Sequence, residues 1–224
     1  MQGADYELVI GDKRWSSWSL RPWILMKVFG IPFRETLIRL RWTGTTQEIA
    51  RHSPSGKVPL LKLAPASKRR GGQLLVWDSL AIIEFLAEEH PDKPVWPASR
   101  EQRSLARSIS AEMHSGFYSL RNQMPMDFLN VHASWPVEPV VEDDIRRIVA
   151  IWMDCRKRHG EACDFLFGGF SGADAMYVPV ATRFRTYGVD LAKYGDDGTA
   201  GSYAQALMAL PEMVEWGKGA SQEM

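Results

Sequence analysis

Three prolines within seven residues, Pro91, Pro94 and Pro97, divide this chain into two stretches with different hydrophobic grammar. Proline has no N–H and a fixed φ, so neither a helix nor a strand runs through such a segment, and it reads as a stiff connector. Before it, strand-like and helix-like segments alternate. Tyr6–Ile10 and Phe33–Arg39 read as strands; Leu20–Phe29, stopped by Gly30, and Thr46–His52, stopped by Pro54, read as helices. Val58–Leu63 and Gln73–Trp77 read as two further strands around a polar loop carrying Lys68-Arg69-Arg70, taken as solvated. Ser79–Glu89 closes the first half as a helix with an apolar stripe of Leu80, Ile83 and Ala87 widened by Ile82, Phe85 and Leu86. Beyond the prolines, Arg100–Met124, Asp143–His159, Ser171–Tyr187 and Tyr203–Gly217 all read as helices.

The order β-α-β-α-β-β-α predicts parallel pairing through a crossover, then a terminal hairpin. That is a thioredoxin-like order. The expected architecture is an α/β thioredoxin-like N-terminal domain over 5–90, a linker over 91–99 and an all-α C-terminal domain over 100–224. No internal repeat or low-complexity tract is present.

Twenty-seven basic and 27 acidic residues cancel, so the overall charge gives no reason to expect nucleic acid or an anionic membrane as partner. No apolar run reaches the roughly 20 residues of a membrane span. Met1–Asp5 has neither a basic start nor an apolar run behind it, so no secretory signal is expected. With only Cys155 and Cys163, a reduced, cytoplasmic setting is expected. The five His are scattered and no Cys/His spacing suits a metal, so no metal is expected.

Two short motifs carry chemistry. Ser53-Pro54-Ser55-Gly56-Lys57-Val58-Pro59 ends in a Val-Pro step that opens a strand, where proline fits because it cannot donate to a ladder. A cis bond there would turn the Val58 N–H and C=O toward a cleft; sequence alone does not establish it. Trp77-Asp78-Ser79 sits where a strand passes into a helix. Ser or Asp there caps the first turn, a contribution of about 1 kcal/mol. The helix N-terminus also favours a carboxylate, which the Ser79 hydroxyl and N–H can hold, while Asp78 can take an ammonium beside it.

Together these motifs resemble the glutathione-site signatures of the cytosolic glutathione S-transferase family, and the resemblance spans the whole chain. Ser171-Gly172-Ala173-Asp174 resembles the family's buried capping box, a structural signal rather than a catalytic one. The turn Arg14-Trp15-Ser16-Ser17-Trp18-Ser19-Leu20-Arg21-Pro22-Trp23 resembles the serine-type members, especially the zeta class, which includes the maleylacetoacetate isomerases and whose turn reads S-S-C-x-W-R. Ser16 and Ser17 match its paired serines; Trp18 stands where that class has cysteine. The resemblance implies the glutathione S-transferase fold, glutathione as co-substrate and a homodimer.

What it implies for the site is a hydroxyl that donates to the glutathione sulfur. A free thiol has a pKa near 8.5, and lowering it to about 6.5 is worth roughly 2.7 kcal/mol. Ser16 is taken as the donor and Ser17 as its rival, since one residue of register decides between them. The glutathione-binding set is Trp18, Ser19, Arg21, Lys57, Val58, Pro59, Asp78 and Ser79. Arg21 either adds positive charge or pairs structurally. Met113, Phe117 and Tyr118 are candidates for the wall of a second-substrate site, with Arg121 or Asn122 as its polar contacts. Arg183 and Arg185 either attract an anionic, maleyl-type substrate or, as favoured here, make surface salt bridges. The expected reaction is thiolate attack on a small electrophile. The alternatives are glutathione-dependent cis-trans isomerisation, a peroxidase, and a non-catalytic glutathione S-transferase-like binding or regulatory protein. Without a cysteine in the turn, a mixed disulfide with glutathione is not expected.

Overall fold

The computed structural model describes residues 6–63, 73–132, 135–160 and 163–223. Strand β1 (Tyr6–Gly11) alternates its faces. Leu8 and Ile10 enter the main core, while Val9 packs with Ile38, Ile49 and Leu60 on the other face. It is followed by α1 (Ser17–Val28), β2 (Phe33–Ile38), α2 (Thr45–His52), β3 (Leu60–Leu63), β4 (Leu75–Trp77) and α3 (Ser79–Glu89). The sheet order is β2-β1-β3-β4, with β1 parallel to β2 and antiparallel to β3, and β3 antiparallel to β4. This is the mixed sheet that the crossover-then-hairpin order predicts. The Lys68-Arg69-Arg70 loop lies outside the described residues.

Helix α1 is the element on which both halves meet. Every residue from Ser19 to Met26 is buried, so it has no solvent face over that stretch. It packs on α3 from the first half and on α7 from the second, and Trp23 meets Trp216 edge to face at 4.9 Å. One continuous core therefore runs through the sheet half and the helical half. Each large apolar side chain buried there contributes ~1.5–3 kcal/mol.

The second half contains α4 (Arg100–Ser115), α5 (Tyr118–Gln123), α6 (Pro139–His159), α7 (Gly172–Thr186), a short 3₁₀ turn at Leu191–Tyr194, α8 (Thr199–Ala209) and α9 (Pro211–Gln222). Two helices read as continuous are broken. The segment 100–124 divides at Gly116-Phe117, where Phe117 adopts φ 53 and turns its ring inward. The segment 203–217 divides at Leu210, because Pro211 disfavours a helical predecessor and is itself suited to a first helical position.

At the start of α7 the capping box forms. Asp174 accepts from Ser171 N and Ser171 Oγ, both at 2.8 Å, from Leu166 N at 3.1 Å and from Tyr203 OH at 3.0 Å. Burial raises its pKa even against these hydrogen bonds. Gly172 lets this end approach the proline segment: its N–H donates to Val95 O at 2.7 Å, and an added Cβ would lie 2.9 Å from the Trp96 ring. Asp174→Ala is expected to cost about 3–5 kcal/mol, because it orphans several buried donors at once. Tyr203→Phe is expected to cost about 1 kcal/mol. Urea unfolding measures both, and an unchanged midpoint for Asp174→Ala would contradict the capping account.

Candidate active site

Between β1 and α1 the chain makes a tight turn, with Trp15 N and Ser16 N both donating to Asp12 O, at 3.2 and 2.9 Å. The Asp12 side chain ties the turn to the chain after β2 through Leu40 N at 2.6 Å. The helical half holds the same turn from the other side. Arg14 Nε donates to Asp127 Oδ1 at 2.8 Å and Phe128 N to Arg14 O at 3.1 Å. Trp216 Nε1 donates to Lys13 O and Lys13 N to Glu223 Oε2, at 2.8 and 2.7 Å. These contacts aim Trp15, Ser16, Ser17 and Trp18 into a cleft of about 710 Å³. Its other walls are Ser55-Gly56-Lys57-Val58-Pro59, Trp77-Asp78-Ser79, and Leu40 with Ile49.

The two serines differ. Ser16 Oγ donates to the buried Ser19 Oγ at 2.7 Å, and Ser19 Oγ accepts from Gly11 N at 3.1 Å, so this pair closes on itself. Ser17 Oγ instead accepts from Arg183 Nη2 at 3.3 Å, which leaves its own proton to donate. Ser17 opens α1, whose first-turn N–H groups lack helical acceptors and present a positive dipole there. Pro22, inside the helix, further removes the N–H that would bond the Trp18 carbonyl.

The Val58–Pro59 bond is cis, and both residues line the cleft. Asp78 is the N-cap of α3 at φ 79, where Oδ1 accepts from Leu80 N and Ala81 N at 2.9 and 3.3 Å. Its other oxygen, Oδ2, faces His114 Nε2 at 3.2 Å. Ser79 is buried and accepts at Oγ from Arg21 Nη1 at 3.3 Å. Two expected glutathione contacts are corrected by their position. Ser19 is fully buried behind the wall, and Arg21, 2% exposed, lies beneath it with its guanidinium 4.2 Å from the centre of the Trp18 ring.

A second pocket of about 300 Å³ adjoins the cleft and shares Trp15, Ser17 and Trp18 with it. Tyr118, Arg121, Asn122 and Arg183 complete its polar lining. Met113, expected in this wall, is fully buried in the core, because it falls on the inward stripe of α4 with Ile109 and Ser110. Phe117 is also buried, while Tyr118 is 73% exposed. Arg183 forms no surface salt bridge among the described residues. It is buried and donates to Met124 O, Pro179 O and Ser17 Oγ. Arg185 is exposed and lies over the Phe128 ring at 4.5 Å.

Sequence reading missed Trp15 and His114. His114 is a polar residue at the edge of the apolar stripe of α4, and that placement was the available signal. Burial, with Arg183 and Arg121 nearby, lowers Arg21 to about 9; burial, with Arg121 nearby, lowers Arg183 to about 10. Among the described residues neither has a carboxylate in salt-bridge contact, so the site is electropositive and under-compensated. Cys155 lies away from the cleft, and burial beside Asp154 and Asp174 pushes its thiol up to about 12. No group of three or more His, Cys, Asp or Glu among the described residues is arranged to hold a metal ion. No helix among them is long and apolar enough to cross a membrane.

Residues 15–89 match the family described as Glutathione S-transferase, N-terminal domain. Over that stretch the chain carries the sequence pattern of a glutathione S-transferase N-terminal domain. Its relatives include a probable maleylacetoacetate isomerase of Vibrio cholerae, 23% identical over 89% of this chain and 90% of that protein. A probable maleylacetoacetate isomerase of Caenorhabditis elegans is 31% identical over 51% of this chain, which spans about half (49%) of that relative's length. The glutathione S-transferase fold is also that of a solved glutathione transferase homolog from Burkholderia gl BGR1 with bound glutathione. It superposes with a TM-score of 0.69 at 21% identity, covering 97% of this chain and 98% of that one.

The Arg14–Asp127 pair anchors the turn and makes a pH prediction. Burial opposes charge on Asp127, but hydrogen bonds from Arg14, Asn130 and His132 lower its pKa overall. The resulting stability is present above the unfolded carboxylate range near 4 and is lost as pH falls through the lower folded value. Asp127→Asn is therefore expected to lose about 1–2 kcal/mol at pH 7 and to converge toward the parent as acid protonates Asp127 in the folded protein. Denaturant midpoints measured across pH check this.

Proposed function

We propose that the cleft binds glutathione and that Ser17, rather than Ser16, holds its sulfur as a thiolate for attack on a small electrophile in the adjoining pocket. The observation that carries this reading is the contrast between the two hydroxyls. Ser16 is spent on Ser19, whereas Ser17 accepts from a buried guanidinium, opens onto both cavities and keeps a proton to give. A hydroxyl polarised by a cation donates more strongly, and a donor to sulfur favours the charged thiolate. In this reading the glutathione backbone lies along Val58, the γ-glutamyl carboxylate meets Ser79 and the first turn of α3, and its ammonium meets Asp78. The thiol proton leaves to solvent. The sulfur lone pair then forms the C–S bond, and the electrophile either expels a leaving group with its bonding pair or keeps the electrons as a transient carbanion. The latter permits rotation and reversal, which is cis-trans isomerisation.

The second pocket favours an electrophile that carries a carboxylate. Arg121, Arg183 and Asn122 line a small space beside Ser17, and neither arginine there has a carboxylate partner in salt-bridge contact among the described residues. This supports an anionic substrate for conjugation or isomerisation.

Ultraviolet titration of the bound thiol tests the hydroxyl assignment. Ser17→Ala is expected to return the thiol pKa toward 8.5 and to slow turnover about tenfold or more near pH 6.5, with Ser16→Ala changing both far less. An unchanged Ser17→Ala protein would exclude Ser17. Arg121→Gln is expected to raise KM for a carboxylate-bearing electrophile about tenfold while leaving KM for a neutral electrophile of similar size unchanged. Equal effects on both electrophiles would remove the anion reading.

A further inference from the structure

His114 is brought to the cleft by α4, from the opposite half of the molecule to Asp78. Its Nε2 lies 3.2 Å from Asp78 Oδ2 and its ring meets Trp18 edge to face at 5.2 Å. Asp78 Oδ1 is occupied by the two α3 N–H groups, so Oδ2 is the oxygen turned toward a ligand, and His114 is its side-chain partner. We propose that His114 is a positioning residue for ligand binding: as a neutral donor it fixes the Asp78 carboxylate to receive an ammonium group, and as a cation it competes with that ammonium.

The inference rests on the glutathione reading and gives its ammonium subsite a pH dependence. In the neutral ring Nε2–H donates to Oδ2 and Nδ1 carries the lone pair. Nδ1 is buried and has no hydrogen-bond partner among the described residues. Protonation places a second N–H there with nothing to accept it, which is unfavourable. The charged groups facing the ring are Asp78 at the start of α3, Arg21 from α1 and Arg121 from α5; Arg121 also donates to His114 O at 3.4 Å. Burial first, with Arg21 and Arg121 against Asp78, sets the imidazole below its usual 6.5. At neutral pH the ring is therefore uncharged and leaves the carboxylate's charge to the ligand. As pH falls below the usual imidazole range a growing fraction is imidazolium, which satisfies Asp78 internally.

Calorimetric titration with S-methylglutathione between pH 5 and 8 isolates this effect, because its sulfur does not ionise. The wild-type protein is expected to weaken about threefold or more from pH 7 to pH 5. His114→Gln, which keeps an N–H donor but cannot titrate, is expected to bind like wild type at pH 7 and to show no acid weakening. His114→Leu is expected to bind about tenfold weaker throughout. A ligand lacking the α-amino group is expected to bind weakly and without acid sensitivity. If wild type does not bind S-methylglutathione at millimolar concentration, the glutathione reading fails and takes this inference with it. If wild type binds but His114→Gln retains the full acid weakening, the inference alone is overturned. Should His114→Leu fail to fold, the Gln variant and the deaminated ligand still decide.

Discussion

A buried guanidinium with no carboxylate in salt-bridge contact among the described residues is the constraint around which this site is arranged. Arg183 sits inside the molecule and spends its donors on Met124 O, Pro179 O and Ser17 Oγ. Isolated charge in such a place costs several kcal/mol unless every N–H is met and an anion is near. Two carbonyls and the Ser17 hydroxyl give each of the Arg183 side-chain nitrogens an acceptor but leave the charge. Arg21, equally buried beneath Trp18, adds to it, and the two together with Arg121 leave the wall between cleft and second pocket positive. Anions drawn there, a thiolate on one side and a carboxylate on the other, would relieve what folding alone leaves uncompensated.

The same arrangement explains why the two halves form one core. The serine turn belongs to the sheet half, yet Arg183, Asp127, Trp216 and Glu223 hold it from the helical half. Helix α1 carries both the site and the interface: its first turn faces the cleft while its middle, Leu20 to Met26, is enclosed by both halves. A shift of α7 would move the Ser17 hydroxyl as well as the core. Asp78 works similarly, since one carboxylate from the sheet half caps α3, lines the cleft and meets the His114 ring on α4.

What could be read beforehand was local. The strand and helix order, the Ser79 helix start, the Val58-Pro59 step and the Ser171–Asp174 box each follow from residues adjacent in sequence, so periodicity and capping chemistry disclose them. What could not be read was tertiary. Nothing near Arg183 distinguishes it from a solvated arginine, because its partners Ser17 and Met124 are distant in sequence. Met113 looked like a pocket wall because an apolar residue on a helix does not reveal which side the pocket takes. The break before Phe117 had a local signal in Gly116, the C-cap of α4, whereas the inward turn of the Phe117 ring at φ 53 depends on the core it finds. Pro211, by contrast, was a visible stop that the longer apolar periodicity obscured. The choice between Ser16 and Ser17 turned on Ser19 and Arg183, one local and one remote.

A crystal structure with glutathione bound tests the central claim directly, because it reads which hydroxyl the sulfur uses. The account predicts the sulfur about 3–3.5 Å from Ser17 Oγ, within reach of the second pocket, with Ser16 still bonded to Ser19. A sulfur in contact with Ser16 and out of reach of Ser17, or glutathione seated elsewhere on the molecule, would contradict it.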